Sequence, residues 1–214
     1  MKIEDENIGI ITADIIDSTE IEYDLRTALF SKFNDGLERI KKTIPIEYEW
    51  YRGDAFQVKV LNFRDSLKII LLIKFWVKSF EKESKKSYDV RISLGIGKNE
   101  WNQNQIVTSD GEAYRISGRN LDNLKSLKQS FIIDANDANS DAFRIESLLL
   151  NVIIDNITPI QSKVLFYKIC GYKEEAIAKK INLAQSTINQ HSNAGNWFAI
   201  SKYLDYFEKK YAHE

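Results

Sequence analysis

A chain of 214 residues, of which 43% are hydrophobic and 29% are charged, has the composition of a globular protein with one medium-sized domain and a small second one. Its formal net charge is −1, so the overall charge gives no support for a nucleic-acid partner. Such a partner must be inferred from a motif or from a local surface. The single cysteine, Cys170, excludes an internal disulfide and a cysteine zinc site. No leader or membrane-spanning run is visible, and a cytoplasmic protein without membrane contact is expected.

The first predicted elements place a carboxylate at the end of a strand. The apolar, β-branched run from Ile8 to Ala13 predicts a buried strand that ends at Asp14. After the N-cap cluster Asp17-Ser18-Thr19, apolar residues recur at helical spacing from Ile21 to Ile44 and predict a long amphipathic helix on the sheet.

A second carboxylate is predicted at a hairpin turn. Two aromatic and β-branched runs, 46–51 and 55–61, flank the tight segment Arg52-Gly53-Asp54, which favours a hairpin with Asp54 at its tip. The remaining pattern predicts a helix over 67–80, a strand over 88–96, a helix over 111–127 and a strand over 131–133.

This element order is that of an α+β ferredoxin-like palm, with helices covering one face of a mostly antiparallel sheet. Such a palm brings the end of its first strand beside its central hairpin turn, so we expect Asp14 and Asp54 to converge. Two carboxylates at such a point suit one or two divalent cations, Mg²⁺ or Mn²⁺, which bind through few protein oxygens and through substrate phosphates.

The C-terminal part predicts a small all-α domain. We place the boundary in the polar stretch near residue 140, which gives a palm domain over 1–140 and a helical domain over 141–214. Thr158 followed by Pro159 marks a helix start. Beyond it, the small Ala178, an Asn182 suited to a left-handed turn and the apolar Ile188 have the spacing of a helix-turn-helix.

The second helix of this pattern exposes polar side chains suited to DNA. Amide side chains match adenine in the major groove, hydroxyls suit phosphates or either base, and lysines attract the backbone. The predicted contacts are Gln185, Ser186, Thr187, Asn189, Gln190, Lys179 and Lys180. The alternative is a helical appendage with a solvated polar face that serves dimerisation or protein docking.

Several segments resemble class III nucleotide cyclases. Residues 11–19, ITADIIDST, resemble the first metal-binding segment of that family, and Arg52-Gly53-Asp54-Ala55-Phe56 resembles the second. Residues 90–97, VRISLGIG, resemble the following strand, and 111–119, GEAYRISGR, resemble the helix that supplies transition-state groups. The form Gly53-Asp54-Ala55-Phe56-Gln57, together with the appended helix-turn-helix, is most similar to the SatD-like family.

The resemblance implies roles for the metal and phosphate ligands. Asp14, Asp54 and the carbonyl of Ile15 would hold the metals. Backbone amides around Asp17, Ser18 and Thr19 would hold the triphosphate of a nucleotide at a helix N-terminus. Asp17 stands where the family has a small glycine, so it is either a further metal ligand or an obstacle to phosphate.

The resemblance also implies roles in base recognition and in charge stabilisation. Arg119 falls at the transition-state arginine, and Arg115 falls where the family has an asparagine. Trp50 stands where cyclases carry the residue that reads the purine, so it would stack on a base without reading its edge. Because class III sites are shared between two chains, a homodimer is expected.

Three functions remain open at this point. The first is a nucleotide- and metal-binding transcriptional regulator, in which nucleotide biases a dimer that presents paired reading helices to DNA. The second is an active cyclase or nucleotidyltransferase, in which metal-activated ribose 3′-hydroxyl attacks the α-phosphate and pyrophosphate leaves. The third is a protein-interaction scaffold.

Overall fold

A computed structural model describes residues 7–82, 87–99 and 106–210. The chain divides into two compact units. The sheet unit comprises Met1–Ser66 and Val90–Val152, and the helical unit comprises Leu67–Asp89 and Ile153–Glu214. The predicted boundary near residue 140 coincides with the start of a helix, Ser140–Asp155, most of which groups with the sheet unit. A linear division of the chain at that point stays a prediction.

The strands and helices follow the predicted order. In chain order they are β1 (Asn7–Ile15), α1 (Tyr23–Lys41), β2 (Ile46–Trp50), β3 (Ala55–Val60), α2 (Ser66–Lys78), β4 (Val90–Lys98), α3 (Glu112–Leu127), β5 (Phe131–Ala135), α4 (Ser140–Asp155), α5 (Pro159–Ile169), α6 (Glu174–Ile181), α7 (Gln185–Ala194) and α8 (Trp197–Lys210). Among the helices in the described ranges, none has the length and apolarity that crossing a bilayer requires.

The five strands form one sheet in the order β2-β3-β1-β4-β5. β1 pairs antiparallel with β3 and with β4, β2 pairs antiparallel with β3, and β5 runs parallel to β4. The order of the first four strands is that of a ferredoxin-like βαββαβ unit, and β5 extends it. The predicted α+β palm architecture is therefore confirmed.

The sheet carries a helix on each face, whereas the sequence predicted helices on one. Phe33 of α1 contacts Phe56 with ring centroids 5.9 Å apart, and Phe56 is paired with Ala13 in β1. On the opposite face, Thr12 of β1 and Ser117 of α3 form a 2.9 Å hydrogen bond. Because neighbouring residues of a strand point to opposite faces, α1 and α3 lie on opposite sides of the sheet.

A glycine permits the close approach of α3. A Cβ atom at Gly95 of β4 would overlap the backbone carbonyl of Ala113 in α3. Gly95 is paired with Ile10 on the α3 face of β1, where Ile10 packs in a buried cluster with Ala113 and Tyr114. The glycine thus sets the depth at which α3 rests on the sheet.

In the helical unit, α5, α6 and α7 pack around a small core of Val164, Ile177, Ala178 and Ile188. The predicted start of α5 is confirmed, because Thr158 caps it in a capping box with Gln161 and Pro159 is its first residue. Asn182, between α6 and α7, has φ 55° and ψ 51°, the left-handed conformation that the sequence predicts.

Candidate functional site

The two predicted metal-binding aspartates line one cavity of about 370 Å³ in the sheet unit. Asp14 is paired with Ala55 across β1 and β3, and the Ile15 amide donates a 3.0 Å hydrogen bond to the carbonyl of Asp54. The antiparallel pairing therefore brings the end of β1 beside the turn that precedes β3.

Asp14 is almost fully buried and forms a bidentate ion pair. Arg91 of β4, its cross-strand partner, donates from Nε and Nη2 to the two carboxylate oxygens, at 2.8 Å each. The ammonium group of Lys125 in α3 lies 3.9 Å from the same carboxylate. A bidentate guanidinium holds a carboxylate in a fixed orientation, yet each oxygen retains a further lone pair for a cation.

Asp54 keeps an open carboxylate oxygen. Within the described ranges its side chain accepts one hydrogen bond, from the Ser18 hydroxyl at 2.5 Å on Oδ2. Arg26 of α1 donates from Nη2 to the Ser18 carbonyl, while its Nε is buried without a hydrogen-bond partner among the described residues. A buried donor without a partner is costly, and Arg26 therefore holds an unsatisfied polar atom close to the Ser18 turn.

The segment from Asp17 to Thr19 differs from the expectation. It does not begin the long helix: Ser18–Glu20 is a separate 3-10 turn, and α1 begins at Tyr23. Asp17, the residue before this turn, has φ 57° and ψ 33°, which is the left-handed conformation. The chain therefore changes direction at Asp17. The Glu20 amide donates to the Asp17 carbonyl at 3.0 Å. The amides expected at an α-helix N-terminus thus lie in a tight turn beside Asp54.

The donor set fits a hard divalent cation. Two carboxylates with free lone pairs, beside a backbone turn, match the few protein oxygens that Mg²⁺ uses when substrate phosphates complete its shell. Within 7–82, 87–99 and 106–210, no group of three or more histidine, cysteine, aspartate or glutamate side chains could hold a metal. A cation held by Asp14 and Asp54 would therefore take its other ligands from groups other than further side chains of these four types.

Trp50 lies on the other face of the sheet from Asp14. It is paired with Phe56 in β3, and Phe56 is paired with Ala13, so all three point towards α1. Its ring packs on Phe30 and Phe56 with centroids 4.9 Å and 4.8 Å away. Its indole nitrogen donates to Asn34 at 2.9 Å. In this arrangement Trp50 does not line the cavity that holds the aspartates.

Arg115 and Arg119 face a second, larger cavity of about 570 Å³. Both arginines are exposed on α3, and Gly118, Asp122 and Lys125 of the same helix line the aspartate cavity instead. Arg115 pairs with Asp110 at 3.1 Å, and Arg119 donates from Nε to the Arg115 carbonyl at 3.1 Å. Neither arginine lines the cavity that holds Asp14 and Asp54.

A buried carboxylate organises the second cavity. Asp134 accepts hydrogen bonds from Arg144 and Asn120, at 2.8 Å each, and from the Ser140 hydroxyl. Burial by itself would raise the pKa of Asp134, but the hydrogen bonds from Arg144, Ser140 and Asn120 outweigh it and leave the pKa below its ordinary value. The carboxylate is therefore ionised and fixes the arginine.

The predicted DNA-contacting residues lie in α6 and α7 of the helical unit. Gln185, Ser186, Asn189 and Gln190 are exposed and Thr187 is partly exposed, whereas Ile188 on the same helix is fully buried. Lys179 and Lys180 are exposed in the last turn of α6, and the Lys180 ammonium lies 5.2 Å from the centre of the Tyr172 ring.

Several polar residues in or near the aspartate cavity lie outside the predicted set of ligands. Asp122 and Lys125 of α3 and Tyr51 of the hairpin line the cavity, and Arg26 of α1 lies outside the lining, where it donates to the Ser18 carbonyl. Burial raises the pKa of the Tyr51 phenol, against an opposing effect of Arg52, so Tyr51 is a neutral hydrogen-bond donor. The sequence signal for Asp122 and Lys125 is their helical spacing from Gly118, which puts all three on one face.

No protein-family model and no curated protein matches the chain. Similar solved structures include the dimeric guanylyl cyclase domain of the RhoGC fusion protein from Blastocladiella emersonii, with 18% identity, a TM-score of 0.49, and coverage of 66% of this chain and 84% of that one. The guanylate cyclase domain of RhGC from Catenaria anguillulae, in complex with GTP, has 16% identity, a TM-score of 0.48, and coverage of 67% and 82%.

The GGDEF domain of DgcB from Caulobacter crescentus, in complex with c-di-GMP, has 12% identity, a TM-score of 0.45, and coverage of 60% of this chain and 77% of that one. All of these similarities are distant. A functional assignment for this chain therefore depends on its own residues.

The lowered pKa of Asp134 predicts a pH-dependent contribution to stability. Replacing Asp134 by Asn should lower the free energy of unfolding by about 1–3 kcal/mol at neutral pH, because Arg144 loses its charged partner. This deficit should begin to shrink below about pH 4, where the unfolded carboxylate takes up a proton, and it should vanish only below the lowered pKa of the folded carboxylate. Urea unfolding at pH 7 and pH 3 checks this, with the exposed Asp35→Asn as the matched control. A deficit that is equal at both pH values would contradict it.

Proposed function

We propose that this protein is a nucleotide- and divalent-metal-binding regulator that binds DNA through α6 and α7. The nucleotide-binding part of this proposal rests on the cavity that holds Asp14 and Asp54. The Ser18 turn contacts Asp54, and Arg26, whose Nε has no hydrogen-bond partner among the described residues, lies next to that turn. Carboxylates for a cation next to donors for an anion are the pair of features that a metal–phosphate ligand requires.

In this proposal Asp54, Asp14 and the carbonyl of Ile15 hold Mg²⁺ or Mn²⁺. The cation neutralises phosphate charge and brings the triphosphate of a nucleoside triphosphate to the carboxylates. Asp14 is kept in place by Arg91, while Ser18 orients Asp54. Arg26 and the amides of the Asp17–Thr19 turn contact the phosphate oxygens. The identity of the base is left open, since Trp50 lies on the opposite face of the sheet.

Turnover to a cyclic nucleotide is the second candidate, and the Asp14 and Asp54 pair in one cavity favours it. Two features favour nucleotide binding without turnover over cyclase activity. Both oxygens of Asp14 are engaged by Arg91, and Arg115 and Arg119 face a different cavity of the same chain. Efficient turnover would need a second copy to bring those arginines to the bound triphosphate.

The first test of the proposal is Asp54→Asn. The substitution removes the open anionic ligand, so Mg²⁺-dependent binding of nucleoside triphosphates should be lost in calorimetric titrations. The far-ultraviolet circular dichroism should be unchanged, because Asp54 is outside the buried core of the sheet. Asp35→Asn, an exposed aspartate in α1, is the matched control and should bind like the wild type.

Equal binding by Asp54→Asn and the wild type would exclude the palm cavity as the nucleotide site. Pyrophosphate measured in the same samples separates the two candidate functions: regulation by binding predicts a stable complex, whereas cyclase activity predicts steady release.

A homodimer is part of the proposal, and α4 offers a surface for it. Ile145, Leu148, Leu149 and Val152 are all exposed and form one apolar stripe along the helix. The intervals between these four residues are the same whether they are counted from the N-terminal or the C-terminal end of α4. An antiparallel pair of α4 helices from two copies would therefore set Ile145 against Val152 and Leu148 against Leu149, as a two-fold interface requires.

The second test is Leu149→Glu. A carboxylate at this position would be buried against the apolar Leu148 of the second copy, where a charge without a partner is unfavourable. Sedimentation velocity should show a monomer at concentrations where the wild type is a dimer. Leu61→Glu, an equally apolar exposed position after β3, should leave the dimer intact. A wild-type protein that stays monomeric at tens of micromolar would contradict the proposal.

The DNA part of the proposal depends on how α6 and α7 are held. The buried Ile177, Ala178 and Ile188 pack the two helices, and left-handed Asn182 closes the turn between them. This leaves Gln185, Asn189 and Gln190 exposed on α7. Asn and Gln side chains in a helix placed in the major groove can pair with the adenine edge.

The third test separates base contacts from phosphate contacts. Gln190→Ala should cost roughly 1–3 kcal/mol on the preferred site and relax the sequence preference. Lys179→Ala should weaken binding to all DNA alike and reduce the salt dependence. Fluorescence anisotropy at several salt concentrations measures both. If no salt-sensitive DNA binding is found at low ionic strength, with or without nucleotide, the α6–α7 module is a protein-docking element instead.

A further inference from the structure

The aspartate cavity has a neutral polar wall next to its carboxylates. Gln57 of β3 is paired with Thr12 of β1, as Ala55 is paired with Asp14, and both Gln57 and Thr12 line the cavity. Residues paired across two strands point to the same side of the sheet, so Gln57 shares a face with Asp14. Two residues along a strand span about 7 Å. Gln57 is therefore within reach of a ligand whose phosphates meet Asp14 and Asp54.

A chain of three hydrogen bonds fixes the orientation of the Gln57 amide. Gln57 Nε2 lies 3.2 Å from Thr12 Oγ1, which lies 2.9 Å from Ser117 Oγ. Ser117 Oγ lies 3.1 Å from the carbonyl oxygen of Tyr114. A carbonyl only accepts, so the Ser117 hydroxyl donates to Tyr114 and the Thr12 hydroxyl donates to Ser117. The Thr12 oxygen then accepts from Gln57, whereas the reversed amide would leave one of the three contacts without a proton.

The other end of the amide, Gln57 Oε1, makes no hydrogen bond with the described residues. The cross-strand neighbour of Gln57 in β2 is Glu49, whose carboxylate accepts from the Val107 amide at 3.3 Å and does not donate. The Thr12 and Ser117 hydroxyls are buried, and rotation of the amide would cost them a partner away from water. The wall therefore presents a hydrogen-bond acceptor in a fixed orientation.

Such an acceptor requires a ligand group that carries a proton. A nucleoside triphosphate offers two kinds of neutral donor, the hydroxyls of the ribose and the N–H groups of the base. The ribose is joined directly to the α-phosphate, whereas the N–H groups of the base lie at the far end of the nucleoside. The spacing of about 7 Å between Gln57 and the residue pair that carries the Asp14 carboxylate matches the shorter reach, that of the ribose.

We propose that Gln57 is a specificity residue, which accepts a hydrogen bond from a ribose hydroxyl of the bound nucleotide and thereby selects ribonucleotides. The inference rests on the proposed function, because the phosphates at Asp14 and Asp54 set the position of the sugar. It adds the class of nucleotide that the cavity takes. Thr12 is a positioning residue, since it holds the amide without touching the ligand. An analogue that lacks the hydroxyl binds more weakly, because it leaves the acceptor unpaired.

The test compares common ribonucleoside triphosphates with their 2′,3′-dideoxy counterparts in calorimetric titrations with Mg²⁺. The wild-type protein should bind the ribonucleotide about threefold to tenfold more tightly, the effect of a single hydrogen bond. Gln57→Met, which is similar in length and apolar, should bind both forms alike. Thr12→Val releases the amide and should lower the same ratio of affinities. Gln129→Met, in the turn between α3 and β5 and outside the cavity lining, is the matched control and should keep the wild-type ratio.

The ratio of affinities separates recognition of the sugar from a structural role of Gln57, because a general loss of stability weakens both forms alike. The inference is overturned, and the proposed function is left intact, if the wild-type protein binds ribonucleotides and dideoxynucleotides equally well. It is likewise overturned if Gln57→Met or Thr12→Val keeps the wild-type ratio. A wild-type protein that binds neither form overturns the proposed function and this inference together.

Discussion

β1 pairs with β3 along one edge and with β4 along the other, and this pairing fixes the positions of the other elements of the sheet unit. Asp14 lies opposite Ala55 on one neighbour and opposite Arg91 on the other. A shift of one residue would turn Asp14 towards α1 and bring the apolar Ala13 to the α3 face. The buried isoleucines of β1, which pack on both faces, oppose such a shift. The cavity with the two aspartates therefore depends on the hydrophobic packing of one central strand.

Two buried carboxylates, each held by an arginine, shape the surfaces on either side of α3. Asp14 is held by Arg91 and Asp134 by Arg144, with 2.8 Å contacts in both pairs. Removing either arginine would be costly, because the carboxylate would stay buried without its partner. The helix between them presents Asp122 and Lys125 to one cavity and Arg115 and Arg119 to the other. One helix thus contributes residues to both cavities.

The local patterns of the sequence predicted the elements well, because each depends on neighbours along the chain. The capping box at Thr158 and the left-handed Asn182 are examples. Properties that depend on long-range packing could not be read in the same way. Trp50 and Asp54 are four residues apart, yet the cross-strand register puts Trp50 on the α1 face. The helical spacing of Arg115 and Arg119 predicted a shared direction, but the cavity they face is set by how α3 rests on Gly95.

The central claim is that Asp14 and Asp54 hold a divalent cation together with the phosphates of a nucleotide. Crystals grown with Mn²⁺ and a non-hydrolysable nucleoside triphosphate test it most directly, because Mn²⁺ is located by its anomalous scattering. The account predicts an anomalous peak within coordination distance of both carboxylates, with the triphosphate completing the metal shell. A bound nucleotide whose Mn²⁺ lies elsewhere, or whose phosphates do not approach Asp54, would contradict it.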